Sequence, residues 1–146
     1  MNIDILLDFH KKLQSFRSKL VFSEETSSID PYLGYDHGHS WEIAILVQLS
    51  FSGFFVKSYN EYGDGNYHWY NRIMWKGAYY DVDLACHHLG KDKIRIALPN
   101  VLHINTTVHK EEDGIDYDVW LRSEKLAHNS NLGYLFNKDL RDVNNK

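Results

Sequence analysis

Three side chains in the middle of the chain have the chemistry of a nucleophilic hydrolase site. Ser40 supplies a hydroxyl, His68 an imidazole that can accept a proton, and Asp81 a carboxylate that can orient the imidazole. Asp83 follows Asp81 closely and is an alternative orienting group. Residues of these three types can together cleave or transfer an acyl group.

The run that follows Ser40 predicts a helix that is buried on all sides. Positions 41–51 are apolar nearly all round, and Ser52-Gly53 ends the run. Ser40 is a good N-cap, and Glu42 falls in the first turn, where the helix dipole favours negative charge. The same dipole would favour an anion on a nucleophile at position 40, and the main-chain N–H there would help to bind an oxyanion.

A β-hairpin is predicted to carry the histidine and both carboxylates. Residues 67–75 alternate between two faces, and residues 78–84 alternate again. Lys76-Gly77 lies between these segments and suits a two-residue turn. The predicted hairpin therefore brings residues that are distant in the sequence onto adjacent strands.

The two-residue turn also sets the register of the hairpin. It pairs Arg72 with Asp81 and places Asp83 diagonal to His68, with all four side chains on one polar face. The register favours Asp83 as the neighbour of His68, unless a bulge near the turn shifts the pairing toward Asp81. Without such a bulge, Asp81 only forms a cross-strand pair with Arg72.

The remaining pattern completes an α+β fold, with a central buried helix packed on an antiparallel β-sheet. Apolar residues at helical spacing predict an amphipathic first helix: Ile3, Leu6, Leu7, Leu13 and Leu20. Strands are predicted at residues 54–59 and 94–97 and, from a weak alternation, at 115–121, whereas residues 101–108 are expected to be extended and residues 123–127 to form a short helix. A chain of 146 residues suits a single domain, residues 1–146, with a polar and frayed tail at 141–146.

These motifs resemble those of a known superfamily. The segment Gly38-x-Ser40-x-Glu42-x-Ala44 is similar to the Gly-x-Cys-x-Glu-x-Ala helix start of small papain-like and transglutaminase-like domains, several of which are encoded in bacteria and phages. His68 and Tyr79-Tyr80-Asp81-Val82-Asp83 resemble the His…Tyr-x-Asp pattern of the same domains. The resemblance covers roughly residues 38–84.

The resemblance implies a papain-like or transglutaminase-like hydrolase or acyl-transfer domain without a cofactor. It would act on an amide, thioester or isopeptide bond of a peptide or protein substrate, with Ser40, His68 and Asp81 in the triad positions. Ser40 stands where those domains have cysteine, and a serine hydroxyl cannot ionise before substrate arrives as a thiol can. A degenerate site, a true serine variant and an introduced replacement of cysteine all remain open.

A non-catalytic binding or inhibitor protein on the same fold, such as a phage protein directed against a host system, is the main alternative. In that case Ser40 only caps a helix and His68 is an ordinary strand histidine. Six aromatic residues crowd the predicted hairpin: Tyr67, Trp69, Tyr70, Trp75, Tyr79 and Tyr80. About half should face the core, and Tyr70 and Tyr79 are predicted to face outward, where a protein partner would contact them.

A metal-dependent hydrolase is the third interpretation. His37 and His39 have the spacing of transition-metal ligands and could act with His68, Asp81 or Asp83, or with His87-His88. Because nine histidines make such spacings common, a metal-free cleft loop is the preferred prediction. Cys86, which follows the second hairpin strand rather than opening a helix, is not expected to be a nucleophile.

Composition restricts the class of protein further. The formal charge of -4 and the pI near 6.1 argue against nucleic acid as the main partner. The single cysteine excludes an intrachain disulfide, which fits a reducing compartment. The first residues lack a basic segment, and no apolar run has membrane-spanning length. A cytoplasmic protein without a membrane partner is therefore expected.

Overall fold

The computed structural model describes residues 3–21, 40–59, 67–85, 94–103, 105–109, 115 and 117–137. Over these residues the chain is α+β, as predicted, with three α-helices and a five-stranded antiparallel sheet in the order β4-β3-β2-β1-β5. The helices are α1 (Ile3–Ser18), α2 (Ser40–Phe51) and α3 (Tyr117–Asn129), and a 3₁₀ turn spans Gly133–Phe136. The strands are β1 (Phe54–Tyr59), β2 (Tyr67–Trp75), β3 (Ala78–Asp83), β4 (Arg95–Ala97) and β5 (Thr106–His109). The predicted tail at 141–146 lies outside the described residues, and none of the described helices is long and apolar enough to cross a membrane.

Helix α2 is the centre of the main core, which confirms the prediction of a helix buried on all sides. Its buried apolar residues pack with one face of the sheet and with the other helices: Ile43, Ala44, Ile45, Leu46, Val47 and Leu49. Two specific contacts set its position. Trp41 stacks on Trp69 of β2 with ring centroids 4.5 Å apart, and Asn71 donates its side-chain N–H to the carbonyl of Ala44 at 2.9 Å.

The buried charge on α2 is paired with the last helix. Glu42 is buried, and its Oε1 accepts a hydrogen bond from Nε of Arg122 at 2.7 Å. A carboxylate in this environment needs such a partner. The pair therefore joins the first turn of α2 to α3.

Helix α1 forms where predicted, and its buried stripe matches the predicted one in part. Ile3 and Leu7 were expected on the buried face, yet they are exposed. Leu13 is buried as predicted, and Phe9 and Phe16 are buried with it. Phe9 stacks on Trp75 at 4.6 Å, so contact between large aromatic rings decides which face of the helix packs.

The predicted hairpin register is confirmed. Arg72 pairs with Asp81, and β2 and β3 meet at Lys76-Gly77, where both residues have positive φ (50° and 86°). Because side chains alternate across a strand, odd-numbered β2 residues face the helices and even-numbered ones face away. His68 and Asp83 therefore project from the face of the sheet opposite α2.

This second face has its own small buried layer. Val56 and Tyr70 are buried but do not belong to the helix-side core. Leu102 and His103, from the segment after β4, are buried as well, and the His103 ring lies 4.5 Å from that of Tyr70. The polar side chains on this face are thus partly enclosed.

One of the two weaker predictions was wrong, and the other was confirmed in part. Residues 115–121 were expected to be a strand, but Tyr117 begins helix α3, whose buried positions follow helical spacing: Val119, Ser123, Leu126 and Ala127. The extended segment predicted at 101–108 contains a strand only at β5, within the described residues. In both segments packing against the core outweighed a weak local alternation.

Gly53 is a position where the fold requires glycine. Its φ is +104°, and a Cβ there would overlap the carbonyl oxygen of Arg72. We expect Gly53→Ala to lower the free energy of unfolding by about 3 kcal/mol or more, because strain and overlap add. Gly77→Ala is the matched control, since Gly77 has φ +86° but open space around its Cβ position, and should cost only about 1–2 kcal/mol. Equal losses of unfolding free energy in the two variants, measured by urea unfolding, would show that overlap with Arg72 adds nothing at Gly53.

Candidate functional site

Asp83 and two histidines form the most compact polar cluster on the second face. Nε2 of His68 and Nε2 of His103 each lie 2.7 Å from the same oxygen, Oδ2 of Asp83. The side chains of Asp83 and His103 are fully buried, whereas that of His68 is 12% exposed. The cluster is therefore enclosed except at His68.

Three different segments bring the cluster together. In the antiparallel register of β2 and β3, Asn71 pairs with Val82. Tyr70 therefore lies opposite Asp83, and His68 lies diagonal to Asp83. His103 arrives from the segment after β4, where its ring lies 4.9 Å from the His68 ring. Tyr70 packs against both rings and restricts their orientation.

The protonation pattern follows from the contacts. An ionised carboxylate only accepts hydrogen bonds, so both histidines must carry a proton on Nε2. Oδ1 of Asp83 also accepts a bond, from the main-chain N–H of Ala85 at 3.0 Å. Burial by itself would raise the pKa of Asp83, but the attraction of His68 and the hydrogen bonds from His103 and His68 outweigh it and hold that pKa well below its usual range. Asp83 is thus a buried anion, and these three groups donate hydrogen bonds to it.

Asp81, which the resemblance placed behind His68, is engaged elsewhere. Its two oxygens accept bonds from Nε and Nη2 of Arg72 at 2.6 and 3.1 Å, and Oδ2 also accepts the main-chain N–H of Asn100 at 2.9 Å. The hydrogen bond to Asp81 raises the pKa of Arg72 above its ordinary value, even though partial burial acts to lower it. The placement of Asp81 beside His68 is therefore corrected: Asp83, the neighbour favoured by the hairpin register, makes that contact.

Ser40 lies at the start of α2, next to the strand that carries His68. Its Oγ accepts a hydrogen bond from the main-chain N–H of Trp69 at 3.1 Å. Trp69 precedes Tyr70, which lies opposite Asp83, the last residue of β3, so this contact falls just past the end of β3. Ser40 thus reaches the level of the sheet at the end of β3, while the His68 ring projects from the face opposite α2.

Tyr70 and Tyr79 were both predicted to face outward, but they differ in exposure. Tyr70 was predicted to face a partner but is buried, at 1% exposure, because His103 and the segment before it cover it. Tyr79 is exposed as predicted, at 38%, and lies 5.7 Å from Phe54 on the neighbouring part of the sheet. The interpretation of Tyr70 as a surface residue was therefore wrong.

Sequence reasoning missed His103. It lies in a segment without regular structure, after Asn100, whose φ of 68° turns the chain back over the sheet. No local sequence pattern predicts that this turn will place a histidine next to Asp83. The one indication in the sequence is that a buried carboxylate needs more than one hydrogen-bond donor. The other candidates, His37, His39, Cys86 and His87-His88, lie outside the described residues.

Comparisons with known proteins add no family. Neither a protein-family model, nor a curated protein, nor a solved structure matched the chain. The function of the chain must therefore be inferred from the geometry of the site and from the short motifs in the sequence.

The cluster predicts a specific pattern of ring protons. In ¹⁵N-labelled protein near pH 7, His68 and His103 should both show a proton on Nε2 that exchanges slowly with water, because each is donated to buried Asp83. In Asp83→Asn both protons should exchange faster, while the exposed His128 should be unaffected. Imidazole ¹H–¹⁵N NMR measures this directly, and an unprotonated Nε2 on either ring would contradict the hydrogen-bonding scheme.

Proposed function

We propose that the chain is a hydrolase or acyl-transfer protein of papain-like or transglutaminase-like type, with His68 as its base and Asp83 as the residue that orients the base. Position 40 is the position of the nucleophile. The observation that carries the proposal is the 2.7 Å contact between partly exposed His68 and fully buried Asp83. A carboxylate behind an imidazole is the arrangement that such chemistry needs.

The contact assigns different roles to the two ring nitrogens of His68. Nε2 donates to Asp83, which fixes the tautomer and the direction of the ring. Nδ1 is then the nitrogen that accepts a proton from the nucleophile. Asp83 would also stabilise the imidazolium that forms, because its carboxylate remains ionised.

The location of Ser40 supports its assignment as the nucleophile position. Its hydroxyl bonds to the N–H of Trp69, the residue that follows His68 in the chain. Helix α2 begins at the same residue and directs the positive end of its dipole toward it.

The substrate class follows from the resemblance: an amide, thioester or isopeptide bond of a peptide or protein. A serine in this position needs full deprotonation by His68 during the reaction, whereas a cysteine can already be a thiolate. Replacement of Ser40 by cysteine therefore probes the environment without knowledge of the substrate.

The test is the rate at which Ser40→Cys reacts with iodoacetamide, in a Cys86→Ala background so that the chain has one thiol. The helix terminus and His68 should lower the thiol pKa, so near pH 7 the thiol should react about fivefold or more faster than a free cysteine. Adding His68→Ala or Asp83→Asn should remove most of that gain.

Asp81→Asn is the matched control, because it alters a buried carboxylate of the same strand that contacts Arg72 instead of His68. It should leave the labelling rate unchanged in folded protein, with folding verified by circular dichroism. A new thiol that reacts no faster than free cysteine would refute the proposal and favour the non-catalytic binding protein. A rate that responds to Asp81→Asn but not to Asp83→Asn would refute the role given to Asp83.

A further inference from the structure

We infer that His68, Asp83 and His103 bind one divalent transition-metal ion, with Zn²⁺ as the best fit. The three ligand atoms all lie within 4.8 Å of one another, although the residues come from three separate segments. This metal site goes beyond the proposed function and does not depend on it.

The donor set indicates the class of metal. Two imidazole nitrogens and one carboxylate oxygen suit Zn²⁺ and related transition metals, whereas Mg²⁺ and Ca²⁺ prefer sites made of oxygen atoms. A tetrahedral Zn²⁺ site with bonds near 2.1 Å separates its ligand atoms by about 3.4 Å. Each nitrogen would move from 2.7 Å to about that distance from Oδ2 of Asp83, and the two nitrogens, which lie within 4.8 Å of each other, would take a similar separation.

The surroundings hold the ligands in the required directions. The N–H of Ala85 binds Oδ1 of Asp83, which leaves Oδ2 directed at both rings. The Tyr70 ring centroid lies 4.5 Å from that of His103 and 6.4 Å from that of His68, so the buried His103 ring is held by direct contact with another ring. Orientation of ligands by neighbouring groups is a general feature of protein metal sites.

The burial pattern leaves one side for entry. Asp83 and His103 are fully enclosed, and His68 is the ligand with measurable exposure, at 12%. An ion would reach the cluster past His68, and a water molecule or substrate group would complete a three-ligand site there. The metal would take the place of the two protons that now lie between the rings and Asp83.

Metal binding would also change the chemistry of His68, a consequence that rests on the proposed function. A neutral imidazole that binds a metal through Nε2 carries its proton on Nδ1. Nδ1 is the nitrogen that the proposed reaction uses as a base. The metal-loaded and base-competent forms of His68 are therefore alternative states, and Zn²⁺ should slow the labelling of Ser40→Cys.

The direct test is titration of the full chain with Zn²⁺ after treatment with a chelator and its removal. Isothermal calorimetry should show one ion per chain with a dissociation constant in the micromolar range or below, and Co²⁺ should give the absorption bands of a tetrahedral site. His103→Gln should weaken binding by about tenfold or more, because the amide can still donate to Asp83 but is a poor metal ligand.

His109→Gln is the matched control. His109 also has a buried ring nitrogen, but it pairs with Phe55 and lies against Trp69 on the helix side of the sheet. This variant should bind Zn²⁺ as the unmodified chain does. No saturable binding, or binding that His103→Gln leaves intact, would overturn the metal site. Labelling of Ser40→Cys in metal-free protein tests the base function separately, so the two proposals can fail independently.

Discussion

The buried carboxylate of Asp83 is the constraint on which the second face of the protein depends. Transfer of an unpaired carboxylate out of water is costly, so the fold must supply donors around it. It does so with the rings of His68 and His103 and the N–H of Ala85. These contacts fix the end of β3, the orientation of the β2 histidine and the return of the chain after β4.

The sheet separates two kinds of packing. The helix side is almost wholly apolar and aromatic, centred on α2. The opposite side contains the Asp83 cluster and the Arg72–Asp81 pair, and Tyr70 and Val56 are buried there. The hairpin register determines which side chains face each side of the sheet. A shift of one residue would turn His68 into the apolar core and Trp69 out of it.

Much of this arrangement could be predicted from local sequence patterns. The apolar run after Ser40 and the alternation on either side of Lys76-Gly77 gave α2 and the hairpin with its register, and that register already indicated Asp83 as the neighbour of His68. Contacts between distant, irregular segments could not be predicted in this way. His103 reaches Asp83 through a turn with no periodic signal, and α3 forms in a segment whose weak alternation resembled a strand.

Asp83 and His68 should be energetically coupled, because each is the buried hydrogen-bond partner of the other. A double-mutant cycle with Asp83→Ala and His68→Ala, followed by urea unfolding, measures that coupling directly. The losses of unfolding free energy in the two single variants should exceed the loss in the double variant by about 1 kcal/mol or more, because each single variant removes the same buried contact. Losses that add to within about 0.3–0.5 kcal/mol would show that the two side chains act independently, and would contradict the account.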